Sequence, residues 1–210
     1  MKTFLKGIST ILFLSLFTLV VSGQEYDCKV KNEQFRNNKN AQVVKHEGKP
    51  FSQSDIASFK GLYYYDIDCN WVMKGTLSAL PAPKLVEVET TKGTKVQLYD
   101  YGTLSLIIDG EQYDLQVYQD VALSEFSNAP GTIFVPIKDE TSGPKPKTTY
   151  ENGRYLVIEP PASGDQVVVD FNMAINPYQN YNTTYPSLLV PDENVILAPI
   201  TTGERKYEDR

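Results

Sequence analysis

The chain has 210 residues, 22% of them charged, and a formal net charge of −6. One histidine, two cysteines and no block of Lys or Arg argue against His-built zinc or triad chemistry and against a protein that tracks a phosphate backbone. Nucleic acid is therefore not an expected partner, and no metal or cofactor is expected.

Lys2 and Lys6 precede an uncharged apolar run, Ile8 to Val21, that ends in Ser22 and Gly23. These are the three sectors of a secretory signal peptide, so residues 1–23 are predicted to be removed. The run falls short of the roughly 20 residues a spanning helix needs. The expectation is a secreted or periplasmic chain with no transmembrane anchor after cleavage. The residues before Cys28, Glu25-Tyr26-Asp27, do not resemble a lipidation site.

Residues 24–49 are rich in Asn, Lys and Gln and show little apolar periodicity, which predicts an extended or frayed polar arm carrying the lone His46. Cys28 lies in this arm and Cys69 beyond it. In an oxidising compartment they either form one disulfide closing a long loop or remain one buried and one loose thiol, and both readings stay open. Residues 50–210 are read as a single β-rich domain. It opens on a short helix, Asp55 to Phe59, in which Ile56 and Phe59 make an i, i+3 apolar pair.

From Gly61 the texture is β. Trp71, Met73, Gly75, Leu77 and Ala79 alternate with Val72, Lys74, Thr76 and Ser78, the period of a half-buried strand. Leu85 to Thr90 and Lys95 to Tyr99 flank Lys92-Gly93, and Thr103 to Ile108 and Gln112 to Tyr118 flank Asp109-Gly110. Both pairs are predicted hairpins, the second more sharply because a tight primed turn needs positive φ. Further strands are predicted at Thr132 to Ile137, Arg154 to Ile158, Gln166 to Phe171 and Val195 to Ile200, with Pro- and Gly-containing loops between them. The pattern predicts an all-β fold: an antiparallel β-sandwich or partly closed barrel with a short N-terminal helix or arm.

Polar residues gather at the strand ends: Asp139, Arg154, Asp170, Asn172, Asn176, Glu193 and Glu204. Opposed carboxylates can serve as general acid and base on a glycan, and the planar fork of Arg154 can bind a carboxylate. Set against this, Asp and Asn at turns commonly hydrogen-bond loop backbone, with an arginine pairing an acid. Tyr63-Tyr64-Tyr65, Tyr178, Tyr181 and Tyr185 are able to stack on sugar rings or simply to pack at sheet margins. No glycine-rich phosphate loop and no EF-hand-like calcium loop occurs.

Several blocks in order resemble the bacterial family called domain of unknown function 1684. They are Phe59-Lys60-Gly61-Leu62; Phe134-Val135-Pro136 with Asp139, Thr141 and Gly143; Thr149-Tyr150 and Gly153-Arg154-Tyr155-Leu156; Asp170-Phe171-Asn172 with Asn176-Pro177; then Pro191, Glu193-Asn194 and Gly203-Glu204. The resemblance runs from about Pro50 to Tyr207 and implies no established activity. Where that family carries two cysteines after Asn-Pro, this chain has Gln179 and Ser187, which fits a missing disulfide; before Gly-Arg-Tyr it has Glu151-Asn152 in place of a Gly-rich stretch.

Two functional expectations follow. The first is a non-enzymatic β domain that binds a small polar ligand, a glycan or a protein partner, with Asp139, Arg154, Asp170, Asn172, Asn176 and Glu204 as candidate ligand-binding residues. The second is a carboxylate-based hydrolase acting on envelope or glycan material. Two carboxylates facing each other across a cleft favour the hydrolase, whereas acids individually capped by backbone amides favour the first. A buried Asp170–Arg154 pair on neighbouring strands is also predicted, with Asn172 and Asn176 satisfying the backbone of the loop from Pro177 to Pro191.

Overall fold

A computed structural model describes residues 27–45, 50–121 and 132–207. The predicted signal peptide and His46 lie outside the described residues.

The first element corrects the sequence reading. The polar arm is largely a 17-residue helix, α1 (Cys28–Val44), capped by the Asp27 side chain, which accepts from the backbone N–H of Val30 at 3.1 Å. Apolar periodicity failed to announce it because its inward face is polar. Cys28 and Asn32 are buried there, and Arg36, Lys39 and Asn40, at helical spacing along the same face, are half-buried. A second helix, α2 (Gln53–Ser58), starts in a capping box between Ser52 and Asp55. Among the described residues no helix is long and apolar enough to cross a membrane.

The body is mostly antiparallel β, a half-barrel sheet with strand order β5-β4-β3-β2-β1-β6. Its strands are β1 (Val72–Glu89), β2 (Lys95–Ile108), β3 (Glu111–Asp120), β4 (Ile133–Asp139), β5 (Arg154–Ile158) and β6 (Gln166–Asp170). Of the two expected architectures, the partly closed barrel is the one formed. β1 absorbs two segments expected to be separate strands. Its register against β2 shifts between Ala79 and Lys84, where Pro81 and Pro83 supply no N–H to the ladder. Gly102 lies opposite: a Cβ there would sit 2.1 Å from the Ser78 carbonyl oxygen, so only glycine lets the bent strands approach. Both hairpins form, and at the second Asp109 and Gly110 have φ of 51° and 87°, as a primed turn requires.

Alternation along these strands fills the concave side with Leu77, Leu104, Leu106, Leu115, Val117, Val135, Ile137, Val167 and Val169. The predicted terminal strand is shorter than expected. β7 (Val195–Ile196) pairs in parallel with β4, after which the chain passes Pro199 and lays Ala198 and Ile200 into the same core. Among the described residues β3 and β4 are laddered at Tyr118–Phe134 and Gln119–Ile133. Where they part, Asn194 splices them: its side chain accepts from the Gln116 N–H at 2.6 Å and donates to the carbonyls of Gln116 (3.0 Å) and Pro136 (2.7 Å). The curl leaves a seam between β5 and β6, which hold opposite ends of the strand order; Ile175 closes part of it by exchanging both backbone hydrogen bonds with Tyr155.

Candidate functional site

The predicted site residues fall into two groups. Arg154 opens β5 and Asp139 ends β4, and β4 and β5 are paired, so both side chains meet beneath the C-terminal segment, fully buried. Arg154 Nη2 donates to Asp139 Oδ2 at 2.8 Å and to the Ile200 carbonyl at 3.1 Å, while Nη1 donates to the carbonyls of Thr202 and Glu204. Asp139 Oδ1 accepts from the N–H and hydroxyl of Thr141 and from the Ile200 N–H. This constellation staples residues 200–204 to the sheet. The acid that pairs Arg154 is thus Asp139, and the predicted Asp170–Arg154 pair does not form. β6 turns away from β5 and pairs with β1, placing the two predicted partners in strands that are not neighbours.

Asp170, at the end of β6, instead holds local and helix-borne amides. Its Oδ1 accepts from Asn172 N–H (2.9 Å) and Nδ2 (2.8 Å), and its Oδ2 accepts from Asn32 Nδ2 of α1 at 2.6 Å. Asn172 also donates to the Asp68 carbonyl (2.9 Å) and accepts from the Asp68 N–H (2.8 Å) and the Thr202 hydroxyl. Asn176 donates through Nδ2 to the Arg205 carbonyl at 2.8 Å. Asn172 and Asn176 therefore bind distant strips rather than the loop from Pro177 to Pro191, a second correction. That loop is held by its own 3-10 turn, Tyr178–Asn180, and by contacts such as Leu188 N–H to the Tyr155 hydroxyl at 2.9 Å. Gln179 and Ser187 touch: the Ser187 hydroxyl donates to Gln179 Oε1 at 2.5 Å, a hydrogen bond between the two positions where the resemblance places cysteines.

Glu204 is buried opposite Tyr64 in an isolated antiparallel bridge. Its carboxylate accepts from the Asn176 N–H at 3.0 Å and from the Tyr181 hydroxyl. Burial pushes this carboxyl above the ordinary carboxylate range, against the pull of Lys39 and of the two hydrogen bonds. The Lys39 ammonium is pushed down by burial in turn, and the Tyr64 and Tyr181 hydroxyls are pushed up. Asp139, Asp170 and Glu204 are each capped by a backbone N–H, of Thr141, Asn172 and Asn176 respectively. Glu193 sits exposed in a 3-10 turn. Among the described residues no group of three or more His, Cys, Asp or Glu is placed to hold a metal ion. Cys28 and Cys69 are joined as a disulfide with Cα atoms 5.9 Å apart.

An open pocket lies on the other side of the Tyr64–Glu204 bridge. It has a volume of about 560 Å³ and is lined by Tyr63, Lys145, Pro146, Lys147, Thr148, Arg205 and Lys206. Three strips build it. Arg205 N–H donates to the Tyr63 carbonyl (2.8 Å), Lys206 N–H to the Thr148 carbonyl (2.9 Å), and the Tyr65 hydroxyl meets the Thr148 hydroxyl. The cations are positioned by their own contacts: Lys206 Nζ on the Gly143 carbonyl (2.8 Å) and Glu151 (2.9 Å), Lys147 Nζ on the Glu140 carbonyl, and Arg205 over the Tyr65 ring at 5.5 Å. Lys and Arg supply four of the seven lining residues and no acid lines the pocket. Sequence reasoning missed it. Its only trace there is two short basic pairs, Lys145/Lys147 and Arg205/Lys206, far apart in the chain.

The tyrosines have mixed roles. Tyr63 lines the pocket, Tyr64 lies under the Arg36 guanidinium, Tyr178 and Tyr185 meet edge to face, and Tyr181 packs with Phe51 and Tyr207. Asp170 contributes to a different groove, of about 430 Å³, between α1 and the β5–β6 seam.

Residues 57–205 match the model of a family described as "Protein of unknown function (DUF1684)". The chain is also similar to an uncharacterized protein of Haloarcula marismortui whose structure was determined by solution NMR. The two are 29% identical, the similarity covers 84% of this chain and 93% of that one, and the TM-score is 0.63. No curated protein matches the chain.

Proposed function

The chain belongs to the DUF1684 family, whose description names no activity, and from that premise we propose that it is a secreted or periplasmic β domain that binds a small anionic ligand, such as a sugar acid or a sugar phosphate. The ligand sits in the pocket between Tyr63, the Lys145–Thr148 strip and Arg205-Lys206. The observation that carries this reading is the concentration of four cations on one pocket of a chain whose net charge is −6. An arginine fork and lysine ammoniums suit carboxylate or phosphate oxygens, and the Tyr63 ring offers an apolar wall with a polar tip to the ring of a sugar. The amide caps on Asp139, Asp170 and Glu204 support binding over carboxylate-based hydrolysis. Export is supported by the charged, apolar and small-residue sectors of residues 1–23 and by the use of both cysteines in a disulfide.

Titration calorimetry against galacturonate, glucose 6-phosphate and neutral glucose tests the proposal. The two anions are expected to bind and glucose to bind at least about tenfold more weakly, with the anion affinity falling as salt rises. Reversing two charges with Lys145→Glu and Lys147→Glu should remove anion binding while leaving the melting temperature almost unchanged. Equal affinity for glucose and galacturonate, or full anion binding by the charge-reversed protein, would overturn it.

A further inference from the structure

The wall of this pocket is gripped from behind by α1. The Asn40 side chain accepts from the Leu62 N–H at 2.9 Å, and the Arg36 guanidinium lies 4.6 Å from the centre of the Tyr64 ring. Tyr63 and Tyr65 leave the same strip towards the pocket side, and the strip is tied to its neighbour through Arg205 N–H to Tyr63 O and Tyr65 N–H to Gly203 O. The helix and the pocket therefore share one strip of backbone.

What keeps α1 in place is unusual. Cys28 and Asn32 of the helix are fully enclosed and Phe35, Arg36, Lys39 and Asn40 half-buried, so the docked face is mostly polar and little apolar area favours docking. Docking also leaves Asn32 Oδ1, Arg36 Nε and Nη2 and the Tyr64 hydroxyl buried without hydrogen-bond partners, each a penalty against the docked state. A 17-residue helix rich in Asn and Lys has little tendency to persist once detached. The contacts that favour docking include the Asn32–Asp170 and Asn40–Leu62 hydrogen bonds, the Arg36–Tyr64 contact, the attraction between Lys39 and Glu204 and the disulfide, so they are polar or covalent. Of these the covalent link is the one that fixes the helix against the body, and Cys69 is exposed to attack by a thiolate.

We propose that α1 is a thiol-sensitive strap on the anion pocket: breaking Cys28–Cys69 releases the helix, loosens the Leu62–Tyr65 strip and weakens ligand binding. This rests on the pocket reading above. In the step, the thiolate of a dithiol reductant attacks Cys69 Sγ, and the Cys28 Sγ–Cys69 Sγ bond breaks with Cys28 as the leaving thiolate. The second thiol of the reductant then resolves the mixed disulfide. The reductant ends as its cyclic disulfide, and the two cysteines have gained two electrons and two protons.

The test compares the oxidised full chain, the same chain in dithiothreitol with two free thiols counted, and a Cys28→Ser/Cys69→Ser variant. Amide hydrogen exchange and galacturonate affinity are measured on each. Residues 28–44 are expected to lose protection by at least about tenfold in the reduced and variant proteins while β2 and β3 keep theirs, and affinity is expected to weaken about tenfold. A helix that stays protected after reduction, a sheet that unfolds with it, or an unchanged affinity overturns the strap, and the last leaves the pocket reading standing. Absence of galacturonate binding in the oxidised protein overturns the pocket reading, and exchange alone then decides whether the helix is released.

Discussion

Arg154 and Arg36 are two arginines drawn out of water by different parts of the molecule. Arg154 is enclosed by the sheet and the C-terminal segment, and its terminal nitrogens donate to one carboxylate and three carbonyls. Arg36 is held between α1 and Tyr64, with Nε and Nη2 lacking hydrogen-bond partners and burial lowering its pKa. The sheet buries an apolar face and gives the Arg154 guanidinium a carboxylate and three carbonyls, leaving only its Nε unpartnered, whereas the α1 interface leaves Asn32 Oδ1, two Arg36 nitrogens and the Tyr64 hydroxyl without partners. The first arrangement is stable from its own contacts. The second depends on a covalent tether.

The largest expected effect comes from breaking the compensated pair. Asp139→Ala strands the fully buried Arg154 charge and should cost about 3–5 kcal/mol, read from urea unfolding. A loss below about 1 kcal/mol, the range of a surface ion pair, would mean that the clamp is not what holds residues 200–204. Asp170→Ala removes the acceptor of three hydrogen bonds from amides, together with a charge that acts on Arg36. It should cost less, about 1.5–3 kcal/mol, as expected for hydrogen bonds to a charged group. An Asp170→Ala loss equal to that of Asp139→Ala would erase the contrast between the two regions.

Arg36→Leu is the sharper test of the weak side. The substitution removes a cation and two unsatisfied donors and fills part of the same volume, so stability should change by less than about 1 kcal/mol, with a gain as readily as a loss. A thermal melt in which Arg36→Leu destabilises as much as Arg154→Leu would show that α1 is docked by its own contacts after all.

The smallest effect is a slope with pH. The Glu204 carboxyl titrates above its ordinary value in the folded chain, so the folded state holds that proton more tightly than the unfolded state. Its contribution is full below the ordinary carboxylate range and is lost as pH rises through the raised folded value. Wild-type stability should therefore fall relative to Glu204→Gln across that window. Parallel curves for the two proteins would show that the Glu204 carboxyl is not raised in the folded chain.

How much of this was legible follows from where each signal resides. The strands at Arg154 to Ile158 and Gln166 to Phe171 appear at or within one residue of their expected bounds, because alternation and flanking turn residues act between near neighbours. The Asp109-Gly110 turn was readable for the same reason, since the backbone needs positive φ there and the two residues tolerate it. α1 was not readable, because the pattern that reveals a docked helix is an apolar stripe and here the stripe is Cys28, Asn32, Arg36 and Asn40.

The sequence by itself determined the β character, the hairpins, the short α2 helix and the family, all of which rest on local spacing or on blocks in order. Tertiary structure alone decided which acid meets Arg154. Asp139 and Asp170 both end strands and both are buried, and the choice between them is made by strand order, with β5 beside β4 and β6 beside β1. It alone gathered Tyr63, Lys145, Lys147, Arg205 and Lys206 around one pocket. Charges remote in sequence act on one another only when the fold brings them within a few ångströms, since beyond about 10 Å salt screens them, and no local pattern encodes that approach.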